Sequence, residues 1–134
     1  MKHTGYIVFG HGSTLESAND AVRAMAAKMA MNIVPAGSEA VETAFLESGK
    51  PDLRGAVDVL AGRGITHIVV IPYFLTLGMH LQRDLPRLVE AIRLAHPAIE
   101  IQVTPPLDGH PAMLDALLGR AREAAKELHA SHTD

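Results

Sequence analysis

The segment HIVVIPYFL, residues 67 to 75, constrains the fold of this chain more than any other stretch. Its β-branched run is apolar on both faces, so a strand made from it needs cover above and below. That is the condition of a central strand in a parallel sheet with helices on both sides.

The rest of the chain supplies such helices in alternation with further strands. Tyr6 to Phe9 reads as a buried strand, and Ala18, Val22, Met25 and Met29 then recur at helical spacing toward Asn32. The methionine and alanine positions of this helix read as core. IVPAG (33 to 37) reads as a turn, and AVETAFL (40 to 46) as a second strand.

Pro51 opens a helix with Leu53, Ala56, Val57, Leu60 and Ala61 on one face, closed by Gly62 and Gly64. A third helix is expected from near Asp84, with Pro86 in its first turn and Leu85, Leu88, Val89 and Ile92 inward. IEIQV (99 to 103) alternates like an edge strand. Pro111 opens a last helix with Leu114, Leu117, Leu118, Ala121 and Leu128 inward, and the tail from 130 to 134 is expected to fray.

The order βαβαβαβα with right-handed crossovers gives one α/β domain over residues 1–134. It is a three-layer α/β/α sandwich around a four-stranded parallel sheet. With no Trp and five aromatic residues, its core must be aliphatic. A formal charge of -3 without a basic block argues against nucleic acid as partner. No apolar run approaches the roughly 18 residues of a membrane span, and none resembles a secretory leader. The absence of Cys excludes disulfides, thiolate ligands and a Cys nucleophile, and favours the cytoplasm.

Ligands of open α/β sheets bind beyond the carboxyl ends of the strands. His11 and Ser13 follow strand one, Glu47 follows strand two, His80 lies in the loop TLGMHLQRD (76 to 84), and His110 follows strand four. Two imidazoles and a carboxylate suit a borderline divalent ion such as cobalt, nickel, iron or zinc. The spacing contains no local metal motif, so the reading needs the fold to bring residues 11, 47 and 80 together. Each residue alone would also serve as an ordinary surface group. His110, beside a helix-opening proline, suits a cap or packing role. His67 and His96 suit structural roles, and His3, His129 and His132 suit solvated ends. GHGST lacks the G-x-S-x-G order of a nucleophile elbow. Gly10 also stands where an R-H-G phosphatase would carry its phosphate-gripping arginine.

Four segments, VFGHGS, VETAFLESGKPDL, IVVIPYFLTLGMHLQRDLP and PPLDGHP, together resemble the small CbiX type of class II tetrapyrrole chelatase, over residues 6 to 118. The resemblance implies ATP-independent insertion of Co2+, Fe2+ or Ni2+ into sirohydrochlorin or a related tetrapyrrole. It implies a place in cobalamin or sirohaem biosynthesis and no cofactor beyond the metal substrate. It places metal-site histidines on His11 and His80 and an assisting acid on Glu47, so that these three form the catalytic set. Many members carry a basic residue where this chain has Thr14, and Arg where it has Met79. Both departures remove positive charge from the expected mouth.

Insertion exchanges two pyrrole N–H protons for one M2+, and neutral imidazole both ligates and accepts protons near pH 7. Ser13, Lys50, Arg83 and Arg87, with Arg54 nearby, are the candidates for the substrate's carboxylates. The start of the third helix adds its positive dipole end. A four-stranded sheet offers a planar macrocycle only a shallow cleft, so a homodimer forming a two-lobed clamp is expected. The competing class is a non-catalytic module that binds or delivers the metal or the tetrapyrrole.

Overall fold

The computed structural model describes residues 3–33 and 40–131, with side chains through 128. The turn expected at 33 to 37 lies almost wholly outside them, as do the side chain of His129 and all of His132. The strands are β1 (Thr4–Gly10), β2 (Val41–Phe45), β3 (His67–Pro72) and β4 (Glu100–Val103). They alternate with the helices α1 (Glu16–Asn32), α2 (Leu53–Gly62), α3 (Met79–Ala95) and α4 (Pro111–Ser131). All strand pairs are parallel, in the order β2-β1-β3-β4, so β4 is an edge as its alternation implied.

The main core lies on one face of the sheet. Ile7, Phe9, Ile68, Val70 and Ile101 meet Ala56, Val57 and Leu60 of α2 and Leu85, Val89 and Ile92 of α3. Asp52 caps α2, its Oδ1 accepting from the Gly55 amide at 2.8 Å, so Pro51 lies just outside the helix. On the opposite face α1 lies over β1 and β2, with Ala26 buried and the Arg23 guanidinium 5.1 Å from the Phe45 ring centroid. The other expected core positions of α1 are only partly covered: Met29 and Val22 are half-buried, Ala18 is exposed and Met25 is 44% exposed.

Two further expectations are corrected. Helix α3 starts at Met79 rather than near Asp84, because Gly78 caps it and accepts the Gln82 amide at 3.0 Å. Pro86 therefore lies inside the helix, where it has no amide to offer the carbonyl of the exposed Gln82. His80 thus stands on the first turn of a helix and Arg83 at the start of the second, not in a loop.

Helix α4 begins at Pro111 as expected, and its backbone is helical through Ser131. Its apolar stripe is not inward. Leu114, Leu117, Leu118 and Leu128 are 61%, 68%, 41% and 62% exposed, and Ala121 is exposed too. Helical spacing shows that residues share a face; it does not show what covers that face. The half of the sheet that α4 would have covered is correspondingly open. Tyr6, Val69 and Ile71, expected to be buried, are only half-buried.

Candidate active site

The order β2-β1-β3-β4 places the reversal of winding between β1 and β3, and a crevice outside the strand ends opens at such a point. His11 stands there. Its ring meets Phe74, beyond β3, edge-on at 6.2 Å between centroids, and Phe74 in turn lies 6.1 Å from Phe9.

Parallel pairing continues past the ends of β1 and β2. The Leu46 amide donates to the Gly10 carbonyl at 2.9 Å, and the Glu47 amide to the His11 carbonyl at 3.0 Å. This register puts the two side chains together: His11 Nε2 lies 2.9 Å from Glu47 Oε1. An ionised carboxylate only accepts, so the imidazole proton sits on Nε2 and the Nδ1 lone pair is left for a metal or a proton. Both side chains remain open to solvent, at 59% and 64% exposure.

His80 stands on the first turn of α3 at the same rim of the sheet. Arg83 Nη2 lies 3.2 Å from its Nδ1. A guanidinium only donates, so Nδ1 is the acceptor and the His80 proton sits on Nε2. The His80 lone pair is thus occupied by arginine. Arg83 also pairs with Asp84, Nε to Oδ1 at 3.3 Å. Among the described residues, no three His, Cys, Asp or Glu side chains stand close enough together to hold a metal ion. The structure joins His11 to Glu47 and leaves His80 apart from them.

The remaining candidates divide. Ser13 Oγ accepts the Leu15 amide at 3.0 Å, which shapes the turn into α1. Lys50 and Arg87 are exposed, and Arg54 pairs with Asp58 at 3.4 Å along α2. His110 is a cap: its Nδ1 accepts the Ala112 amide at 3.1 Å at the start of α4. His67 Nδ1 lies 3.3 Å from Glu100 without a hydrogen bond, whereas His96 Nε2 is hydrogen-bonded to Asp58 at 2.7 Å, a structural contact. The His96 bond, then Arg54, holds the Asp58 carboxyl below the ordinary aspartate range. His3 is exposed. Met79 is 86% exposed at the mouth.

Sequence reasoning does not single out Phe74 or Asn19. Phe74 reads as the tail of an apolar strand, although a ring just past a central strand's end is a signal for a cleft wall. Asn19, 1% exposed, reads as a polar position on a helix. Arg23, and then Asn19, hold the carboxyl of Glu16 beside them below its ordinary range through hydrogen bonds.

The family model for CbiX matches residues 5–124. The chain belongs to the CbiX family. Over 127 residues, covering 90% of this chain and 95% of the relative, it is 26% identical to a sirohydrochlorin cobaltochelatase of Methanosarcina barkeri. It is 36% identical over 89 residues to the sirohydrochlorin cobaltochelatase of Saccharolobus solfataricus, across 62% of this chain and 70% of that one.

The same architecture occurs in the crystal structure of a CbiX protein from Marinobacter aquaeolei VT8. The TM-score is 0.81 at 24% identity, over 92% of this chain and 98% of that one. It also occurs in the sirohydrochlorin chelatase SirB from Bacillus subtilis subspecies spizizenii, solved in complex with cobalt. There the TM-score is again 0.81 at 24% identity, and the match covers 92% of this CbiX chain but 51% of SirB.

Proposed function

We propose that this CbiX-family chain is a metal chelatase that inserts a divalent ion, Co2+, Fe2+ or Ni2+, into sirohydrochlorin or a related tetrapyrrole without ATP. The observation that carries the reading is the His11–Glu47 pair at the winding reversal of a CbiX-family sheet. Its relatives from Methanosarcina barkeri and Saccharolobus solfataricus are sirohydrochlorin cobaltochelatases.

In the reaction two pyrrole N–H bonds break, the macrocycle nitrogens bond M2+, and two protons leave. His11 Nδ1 meets the incoming ion or takes a proton as the macrocycle captures it. Glu47 then faces an imidazolium and offsets its charge, which stabilises the protonated intermediate. His80 joins as a second ligand once Arg83 turns away from its Nδ1. Arg83 is 59% exposed, so it can turn to a substrate carboxylate with little obstruction. Arg87, Lys50 and Ser13 are the candidates for the remaining carboxylates.

The working unit in this reading is a homodimer. α4 carries a leucine stripe that its own sheet does not cover, and the sheet has a half-open face at Tyr6, Val69 and Ile71. A helix of 21 residues is about 32 Å long and about 10 Å wide, so one face presents about 300 Å2. Mutual exchange of α4 between two copies would bury about 1,200 Å2, within the range of stable pairs. The reading keeps the cytoplasmic setting expected above, where a water-soluble polycarboxylate and a divalent ion would meet the protein directly.

The test is to mix protein, sirohydrochlorin and each metal in turn and follow the macrocycle's absorbance. Insertion faster than without protein for at least one metal is the expected result. Binding of metal without acceleration for any of them would leave a delivery module instead.

A further inference from the structure

Asn19 stands on the first turn of α1 and is the buried polar side chain among the described residues, at 1% exposure. A carboxamide taken out of water is unfavourable unless its bonds are made, and these are. Asn19 Oδ1 accepts the Ser13 amide at 2.9 Å, and Nδ2 donates to the Ser13 carbonyl at 2.9 Å. The same Nδ2 donates to the Ser48 carbonyl at 3.0 Å and reaches Glu16 Oε2 at 3.2 Å.

Ser13 lies in the loop of His11, and Ser48 directly follows Glu47. One side chain therefore spans the two loops whose functional groups must meet. The loops approach so closely that a Cβ on Gly12, at φ +91°, would lie 1.6 Å from the Glu47 carbonyl oxygen. A Cβ on Gly49 would lie 2.8 Å from the Phe45 ring and 3.2 Å from Asn19 Nδ2. Ser48 sits at φ 53°, a left-handed conformation for a residue with a side chain, with its carbonyl turned to Asn19.

We propose that Asn19 is a positioning residue for metal insertion: by bracketing the loops at Ser13 and Ser48 it sets the 2.9 Å contact between His11 and Glu47. The inference rests on the chelatase reading for its kinetic consequence, and on geometry alone for the bracket. Arg23 supports the same junction from outside, donating to the Lys50 carbonyl at 3.3 Å, but it is part-exposed and touches only the second loop. Asn19 touches both.

The experiment compares Asn19→Ala and Asn19→Ser with wild type, alone and combined with Glu47→Ala. Asn19→Ser puts no charge into the buried site and is too short to reach both loops, so it tests the bracket even if the alanine variant folds poorly. Each single variant should lower kcat about tenfold to hundredfold, the scale of a small misplacement of reacting groups. The KM for sirohydrochlorin should stay within about twofold.

In the Glu47→Ala background, where the contact itself is gone, the further loss should be under about twofold, because residues acting through one contact are not additive. Val89→Ala, a core truncation on the buried face of α3, serves as a control that loses stability and keeps kcat. Independently of turnover, the Leu46 and Glu47 amides should lose their protection from hydrogen exchange in both Asn19 variants. Amides as protected as in wild type would overturn the bracket. Losses that multiply fully with Glu47→Ala, or a kcat loss matched by Val89→Ala, would overturn the positioning role. A wild type that inserts no metal would remove the chelatase reading, and the amide result would still decide the bracket.

Discussion

His11 Nε2 and Glu47 Oε1 lie 2.9 Å apart although 36 residues separate them, because parallel pairing of β1 and β2 runs on into both loops. The carboxylate fixes which imidazole nitrogen is free and offsets the charge when that nitrogen takes a proton. Glu47→Gln keeps the hydrogen bond and removes the charge, so insertion should slow about tenfold to hundredfold. His11→Ala removes ligand and base together and should slow it about a hundredfold or more. The macrocycle's absorbance reads both. A Glu47→Gln rate equal to wild type would show that only the hydrogen bond matters.

The leucine stripe of α4 makes a second prediction. Leu117, 68% exposed in the isolated chain, would lie in the dimer contact, and a charge there would be taken out of water unpaired. Light scattering should give wild type about twice the chain mass of 14.3 kDa, and Leu117→Glu the mass of one chain. The secondary structure should be unchanged, since the residue covers nothing in its own subunit. Wild type at a single chain mass would rule out the exchange.

Asp58 links α2 to α3 through His96 at 2.7 Å, far from the rim that carries His11. Its folded carboxyl titrates below the ordinary value, so the unfolded chain binds the proton more readily. The stability it contributes is complete above the ordinary aspartate range and fades as pH falls through the lower, folded value. Asp58 is 52% exposed, so the contribution should be about 0.5 kcal/mol. Urea midpoints against pH should fall less steeply in acid for Asp58→Asn than for wild type. Parallel curves would show that the link contributes nothing.

Gly12 sits at φ +91° with the Glu47 carbonyl against its open side. Any side chain there must push the two loops apart and adopt a left-handed backbone. Gly12→Ala should therefore destabilise the fold by about 2 kcal/mol or more, and lower insertion further in whatever fraction still folds. Thermal melting checks the first part. An unchanged melting temperature would mean the loops separate freely, contrary to the bracket at Asn19.

How much of this was legible follows from the range of each signal. The two apolar periods are local, and they placed all four strands and four helices within a few residues, apart from the start of α3. That start was missed because Pro86 suggests a first turn, while Gly78 and the backbone bond to Gln82 decide it. The rim residues were legible because strand ends are local too. The pairing of His11 with Glu47, and the separation of His80 from them, depend on strand order and register. The outward face of α4 was illegible for a related reason: Leu114 and Leu118 share a helix face in any context, and what meets that face lies outside the helix. Asn19 was hidden because its burial needs the Ser48 loop, remote from it in sequence, to close beside the nearby Ser13 loop.

Arg83 supplies the last prediction. Its guanidinium occupies the His80 Nδ1 lone pair at 3.2 Å, and the same arginine is a candidate for substrate carboxylates. The two roles give opposite results when the charge is removed. Arg83→Met frees the lone pair, so Co2+ alone should bind more tightly, by about threefold to tenfold, as followed by visible absorbance of the cobalt-bound protein. The KM for sirohydrochlorin should rise, because an exposed carboxylate partner is lost. His80→Ala in the same background should abolish the gain in cobalt affinity. A cobalt affinity unchanged by Arg83→Met would mean that His80 does not take the ion through Nδ1, leaving His11 Nδ1 as the proposed protein ligand.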